Sequence, residues 1–473
     1  LLTFADVLEA LTGTRPEAAT LLISEAAIDS RQVIPAGMFV ALKGERADGH
    51  DFVEQAFQKG AHLALVQRDL DLHCPVIDLR KGSLGPQMTI PVPPFALRVE
   101  DTLKALQDIA RYWRRKHDLH VIGITGSVGK STTKELIAEV LSLRYRVLKN
   151  PGNLNNEIGL PLTLLHLSPG HQVAVLEMGF YVPGEITFLC DLALPQIGVI
   201  TNVGTVHAER AGSQESIAKG KAELVKALPP APDGVAILNY DDPWVQPMAE
   251  LTRANVFYYG LDPRADLWAD NIESLGLKGI TFQMHFQNEV MHVRIPLIGR
   301  HSVHTALRAA AVGVVEGMTW SEIIAGLRRS HTQLRLVVVN TDSGALLVDD
   351  SYNASPESTL AALNLLEEIE GRKVAVLGDM LELGPYEAEG HEIVGRRAAE
   401  VADLLVTVGN LGKRIGEAAR ESGLTADAII NCEDVPQAIE ILQGSLLRGD
   451  VALIKGSHGL RMDRIAAALE VQE

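Results

Sequence analysis

One stretch, Thr125-Gly126-Ser127-Val128-Gly129-Lys130-Ser131, constrains this chain more than any other. It follows the apolar run Val121-Ile122-Gly123-Ile124 and opens a segment, Thr132 to Leu143, with helical spacing. A strand, a glycine turn and a helix start together make a phosphate site. Glycines let backbone N–H groups converge on phosphate oxygens, and the helix N-terminus adds favourable partial charge. Residues Gly126, Ser127, Val128, Gly129, Lys130, Ser131 and Thr132 are therefore expected to bind a nucleotide, with Lys130 on the terminal phosphates and the Ser131 hydroxyl on Mg²⁺. The first glycine of the longer G-x-x-x-x-G-K-[ST] pattern is absent, because Ile124 stands in its place.

With 473 residues the chain suggests roughly three domains. Its formal net charge of −17 argues against a nucleic-acid or anionic-membrane surface. Anionic ligands must then be held by local groups. Cys74, Cys190 and Cys432 are scattered, lack zinc spacing and read as reduced thiols of a cytoplasmic protein. No apolar run is long enough for a membrane span. Leu1 opens a helix-like stretch instead of a signal peptide.

The expected fold class is α/β. Residues 1–115 read as a small α/β domain, with strands at Phe39 to Leu42 and Ala64 to Val66 and a helix from Asp51 to Lys59. Two polar loops there, around Asp29-Ser30-Arg31 and Lys43-Gly44-Glu45-Arg46, read either as solvated turns or as a grip on a diphosphate, since Arg31, Lys43 and Arg46 are cations in an acidic chain. Gly82 to Pro94 reads as a surface excursion, and Leu103 to Trp113 as a helix leading onward.

Residues 116–331 alternate strand and helix, which implies a doubly wound, mainly parallel sheet. Tyr145 to Leu148 reads as the strand after the phosphate loop. Asn150, Asn153, Asn155 and Asn156 crowd the turn that follows it. One of them caps the next helix, and the group reads as a ligand loop. Glu177 ends the buried strand Val173 to Leu176, at the sheet edge where doubly wound proteins bind ligands, and reads either as a balance to a helix terminus or, beside a nucleotide loop, as a ligand to Mg²⁺. His207 follows the next strand, Ile197 to Asn202, and is read as either structural or functional. Ile217, Lys221, Leu224 and Leu228 share one helical face, so Lys221 lies in the apolar stripe. It either snorkels to water or faces the site with a desolvated amine that can add carbon dioxide. A hairpin is expected from Phe282 to Ile295, turning at Gln287-Asn288.

Residues 332–473 form a further βα alternation, with strands at Ala345 to Val348, Val374 to Leu377, Leu404 to Val408 and Val451 to Ile454 and a closing helix from Arg461 to Leu469. Three strand ends carry polar groups: Asp350, Tyr352 and Asn353; Asp379; and Lys455 with Ser457. They read as a second binding edge, or as turns with helix caps.

Taken together these motifs resemble the ATP-dependent Mur ligases of bacterial cell-wall synthesis. The resemblance covers nearly the whole chain. Its most discriminating strings are Asp350-Ser351-Tyr352-Asn353-Ala354-Ser355-Pro356 and Leu377-Gly378-Asp379-Met380-Leu381-Glu382-Leu383-Gly384. The Asp-Asn-Pro-Arg motif of the sister enzyme that adds the third amino acid is missing.

The resemblance implies three domains: an N-terminal UDP-sugar-binding domain, a central P-loop domain for ATP and a C-terminal Rossmann-like domain for an incoming dipeptide. It implies that D-alanyl-D-alanine is joined to UDP-N-acetylmuramoyl-tripeptide through an acyl phosphate. Two Mg²⁺ ions are implied, with Ser131 on one and Glu177 and His207 on the other, and carbon dioxide held on Lys221 as a carbamate. Ser30, Arg31, Lys43, Gly44 and Arg46 match the UDP end, while Arg335 and Asp350 match nucleotide contacts from the third domain. The chain departs from the family at Ser302 and Thr305, which stand in two asparagine places. Thr305 offers one hydrogen bond there instead of the paired donor and acceptor of an amide. Nothing in the chain calls for more than a monomer. The rival readings are the third-residue ligase, a folylpolyglutamate synthetase, or a P-loop protein that binds nucleotide as a switch.

Overall fold

A computed structural model describes residues 1–44, 47–81, 90–206, 208–329 and 337–471. The fold is α/β, with mainly parallel strands. The described residues divide into two compact units. One comprises residues 1–123, 145–179 and 187–196, and the other 124–144, 180–186 and 197–473.

The first unit holds a five-stranded parallel sheet in the order Ala26–Ala27, Met38–Val40, Leu63–Val66, Phe95–Arg98, Val76–Asp78. Met38–Val40 and Leu63–Val66 are buried at every residue, as parallel strands covered on both faces require. The last two strands escape the sequence reading because each is short and follows proline. The expected helix begins as a 3-10 turn, Gly49–Phe52, on the Asp48 cap and continues as Val53–Gln58. In the same unit Val147–Lys149 pairs in parallel with Val173–Glu177.

The helix Thr102–Arg115 starts on Asp101, whose carboxylate accepts from the Lys104 N–H. It packs on Gly159–Leu165, and the Trp113 indole donates to the Leu167 carbonyl at 3.0 Å. Its buried Arg114 donates to the carbonyls of Ala193 (2.8 Å), His117 (2.7 Å) and Leu119 (3.4 Å). Ala193 ends the helix Glu185–Ala193, and His117 and Leu119 lie in the loop after Arg115, so one guanidinium fork satisfies two chain segments.

The strand His120–Thr125 belongs to the first unit up to Gly123 and to the second from Ile124. In the second unit the helix Lys130–Leu141 packs against Ser302–Val315 and Trp320–Arg329. A Cβ at Gly326 would lie 2.6 Å from the Val140 Cα, so the close approach of those helices needs glycine. Six strands of this unit stand in the order Glu289–Ile295, Ile280–Phe286, Leu267–Ser274, Asn255–Gly260, Val235–Asn239, Ile197–Ile200. The last four are parallel. The first two form the expected hairpin, and Gln287 at its turn has φ 53°.

A second sheet in this unit runs Val337–Asn340, Leu346–Asp349, Asp450–Lys455, Arg372–Gly378, Leu404–Val408, Ile429–Cys432. All pairs are parallel except the first. Four of these strands match the sequence expectation within two residues; the two edge strands are additional. The expected boundary between residues 331 and 332 and most of the Gly82 to Pro94 excursion lie outside the described residues. Among the described residues no helix is long and apolar enough to cross a membrane.

Arg114→Met, which keeps the apolar stem and removes the donors, should lower unfolding stability by about 1–3 kcal/mol. Urea denaturation of parent and variant measures this, and an unchanged midpoint would show that water replaces the guanidinium.

Candidate active site

Two left-handed glycines shape the phosphate loop. Gly126 has φ 149°, and a Cβ there would sit 1.8 Å from the Thr201 Oγ1. Gly129 has φ 81° and caps the helix Lys130–Leu141. The end of the strand Ile197–Ile200 braces the loop. Thr201 Oγ1 donates to the Val128 carbonyl (2.8 Å), and the Asn202 amide accepts from the Val128 N–H (2.9 Å). Ser127 N donates to the Asn202 carbonyl (3.0 Å), and the Ser127 hydroxyl accepts from Gly204 N (2.8 Å). Lys130 Nζ folds onto its own loop, donating to the carbonyls of Gly126 (2.8 Å) and Ser127 (3.3 Å). Ser131 is buried in the first helical turn, next to Thr132.

Lys221 lies in the helix Gln214–Ala227 and is 1% exposed, whereas Lys219 pairs with Glu215 at the surface. The inward reading of the apolar stripe is therefore the observed one. Burial and, second, the charge of Lys130 push the Lys221 amine well below its usual 10.5. Its Nζ stands 5.0 Å from the centre of the Phe180 ring. Phe180 in turn presses on Gly220, where a Cβ would lie 2.0 Å from the ring. A buried amine that favours its neutral form beside a phosphate loop fits carbamate chemistry, because only the neutral nitrogen adds carbon dioxide.

In the first unit the asparagine turn folds around Glu177, which is 2% exposed. Asn155 Nδ2 donates to Glu177 Oε1 (2.8 Å), and Asn150 accepts from the Glu177 N–H (2.9 Å). Asn156 Oδ1 accepts from Gly159 N (2.9 Å) at the start of the next helix, while Asn153 is exposed. Three of the four asparagines thus hold their own turn and its carboxylate. Ser30 donates to Gln55 (2.6 Å) and is buried. Arg31 pairs with Asp29, and its side chain is 79% exposed. Lys43 and Gly44 are exposed in the turn that Gly44 N closes onto the Ala47 carbonyl. Arg46, His207 and Arg335 lie outside the described residues.

The third polar edge is partly self-satisfied. Lys455 Nζ pairs with Asp350 (2.6 Å) and donates to the Asn353 carbonyl (3.0 Å). Asp379 Oδ1 accepts from Leu411 N (2.9 Å) and Gly412 N (2.7 Å) and so caps the helix Gly412–Glu421. The Ser457 hydroxyl accepts from Leu381 N (2.8 Å). Asp379 and Ser457 therefore act as the turn and cap residues that the plainer sequence reading describes. Tyr352 stays half open, its ring 5.9 Å from His458. At the former asparagine places, Ser302 donates to the Ile298 carbonyl (2.7 Å) and Thr305 accepts from Arg308 (2.8 Å). His301, between them and the third edge, lies within electrostatic range of Asp350, Lys455 and Arg308.

Three family descriptions match the chain. The Mur ligase family catalytic domain covers residues 22–114, the Mur ligase middle domain 124–313 and the Mur ligase glutamate ligase domain 334–458. The UDP-N-acetylmuramoyl-tripeptide–D-alanyl-D-alanine ligase of Bacillus subtilis is 36% identical over 99% of this chain and 98% of its own length. The chain belongs to the Mur ligase family. Among solved structures, MurF from Acinetobacter baumannii superposes with a TM-score of 0.83 at 31% identity, covering 99% of both chains. MurF ligase from Thermotoga maritima, solved in complex with ADP, gives 0.78 at 28% identity, covering 95% of this chain and 97% of that one.

In this Mur ligase Thr201 and Asn202, which brace the phosphate loop, Tyr259, which donates to the Thr201 carbonyl, and Arg308, close to Gly129, escape the sequence reading. Only Arg308 carries a local signal, as a charge in the run of alanine, valine and leucine three residues after Thr305. Thr201 and Asn202 act on a segment more than seventy residues away in the chain, and Tyr259 reaches Thr201 from a strand two places along the sheet.

Burial lowers the Lys221 pKa from its unfolded 10.5, so its ionisation opposes folding most at low pH, and that penalty fades as pH rises toward 10.5. Lys221→Met should therefore be more stable than the parent at about pH 7, with the gain shrinking toward about pH 10. Urea denaturation in buffer depleted of carbon dioxide tests this. A gain that does not change with pH would exclude a desolvated amine.

Proposed function

We propose that this Mur ligase joins D-alanyl-D-alanine to UDP-N-acetylmuramoyl-tripeptide, driven by cleavage of ATP to ADP and phosphate. The observation that carries the reading is the buried Lys221 behind a braced phosphate loop, in a chain alike over nearly its full length to a ligase of that name.

The reaction runs in two steps. The terminal carboxylate of the UDP-tripeptide attacks the γ-phosphorus of ATP, giving an acyl phosphate and ADP. The neutral amine of D-alanyl-D-alanine then attacks the acyl carbon, and phosphate leaves. The first step brings one anion onto another, so most of the catalysis is electrostatic. The N–H groups of Gly129, Lys130 and Ser131 receive the phosphates, and Lys130 leaves its own carbonyls to follow the transferring group. Magnesium, when bound, supplies charge neutralisation at the phosphate oxygens. The donor set suits it: Ser131 offers a buried hydroxyl, and Lys221, once carbamylated, offers anionic oxygen in place of a cation.

The carbamate forms when the Lys221 nitrogen adds to the carbon of carbon dioxide and loses a proton. Glu177 and His207 are the further magnesium ligands in this reading, with Asn155 orienting Glu177. The UDP end belongs to residues 1–115, ATP to 116–331 and the dipeptide to 332–473. Arg31, Lys43 and Arg46 meet the diphosphate, and Tyr352 and Asn353 face the dipeptide. The enzyme works as a monomer in the cytoplasm.

Purified protein should release ADP only when UDP-tripeptide and D-alanyl-D-alanine are both present. Equal release with either one omitted would exclude the ligase reading. Lys221→Ala should lose at least about a hundredfold in kcat, with partial recovery in added short carboxylates. Full activity in that variant would exclude the carbamate.

A further inference from the structure

The helix Ser302–Val315 is buried along most of its length, and its interior is largely alanine, valine and leucine. Arg308 interrupts that run and is 4% exposed. Its Nη1 donates to the Tyr259 hydroxyl (3.3 Å) and its Nη2 to the Thr305 hydroxyl (2.8 Å). Both partners are neutral. Burial pushes the Tyr259 phenol up to about 12, and its hydroxyl already donates to the carbonyls of Ile200 and Thr201. The Arg308 Nε has no hydrogen-bond partner, and no carboxylate lies within ion-pair distance of the guanidinium among the described residues.

A cation taken out of water with neither counter-ion nor full hydrogen bonding is expensive, and a guanidinium cannot escape by losing its proton. The position of Arg308 accounts for its presence. A Cβ at Gly129 would lie 3.3 Å from Nη2, so the guanidinium stands directly behind the left-handed turn that starts the helix Lys130–Leu141. The N–H groups in front of that turn are those expected to receive phosphate. A buried charge acts there through little water and is weakly screened.

We propose that Arg308 is a positioning residue for the nucleotide phosphates, a fixed cation behind Gly129 whose counter-charge is the bound polyphosphate. The inference rests on the nucleotide-binding reading above and adds a residue to it. Lys130 is held by its own loop and can move to a phosphate; Arg308 is packed in a helix and cannot. It therefore acts on charge and is blind to the base. Thr305 holds the guanidinium in place, which gives that hydroxyl a role independent of any base contact.

The test compares the full-length parent with Arg308→Met, Arg308→Gln and Arg308→Lys by calorimetry, using ADP, GDP and inorganic pyrophosphate at low and high salt. Arg308→Met and Arg308→Gln should each bind all three ligands about tenfold more weakly, by the same factor. Their affinities should also fall less steeply with salt. Arg308→Lys should recover part of the loss. Arg308→Gln keeps a polar amide at about the place of the Arg308 Nε without the charge, so it keeps the test open if Arg308→Met does not fold. Parental affinity and salt slope in Arg308→Gln would overturn the proposal, as would a loss confined to ADP. A parent that binds neither ADP nor pyrophosphate would overturn the nucleotide reading itself.

Discussion

Like charges drawn out of water around one glycine loop are the constraint on which this structure depends. Lys130 lies on the loop, Lys221 is buried within electrostatic reach of it, and Arg308 is buried behind it. The chain as a whole carries −17, so this local excess of positive charge runs against the global field. Each of the three resolves its burial differently. Lys130 borrows the carbonyls of its own turn. Lys221 is pushed toward the neutral amine, which is the form that reacts with carbon dioxide. Arg308 can do neither and keeps its charge. An anionic ligand satisfies the arrangement, and the arrangement in turn favours an anionic ligand.

Backbone geometry holds those charges in place. Gly126 lets the Thr201 hydroxyl approach where any side chain would collide, and that hydroxyl then pins the Val128 carbonyl. Gly220 gives Phe180 room to cover Lys221, and Gly326 lets the neighbouring helix settle on Val140. The third polar edge shows the same economy with opposite sign: Asp350 neutralises the buried Lys455, and Asp379 caps the helix beginning at Gly412. Polar groups at a sheet edge thus divide between those that hold the protein and those that stay exposed. Tyr352 and Asn153 are among the exposed ones.

Much of the fold is legible because its signals are local. The strand–glycine–helix order around Gly126, the alternating βα pattern and the hairpin turning at Gln287 each depend on residues within a few turns of one another. Lys221 is the clearest case for the site. A lysine in register with Ile217, Leu224 and Leu228 must either snorkel or be buried, and the helix buries it. The short strands at Val76–Asp78 and Phe95–Arg98 are less legible, because a strand of three or four residues beside proline looks like a loop until its neighbours pair with it.

Taken alone, the sequence determined the α/β class, the position of the phosphate loop, the choice facing Lys221 between snorkelling and burial, and the family to which the chain belongs. These follow from spacing and from short strings of residue types. Tertiary structure alone decided which polar side chains at the strand ends are already engaged. It turned Asp379 and Ser457 into structural acceptors, paired Lys455 with Asp350, and set Arg308 behind Gly129 without a counter-ion. The physical reason is that a hydrogen bond or an ion pair belongs to two groups. When the partner lies tens or hundreds of residues away, neither position carries the information by itself.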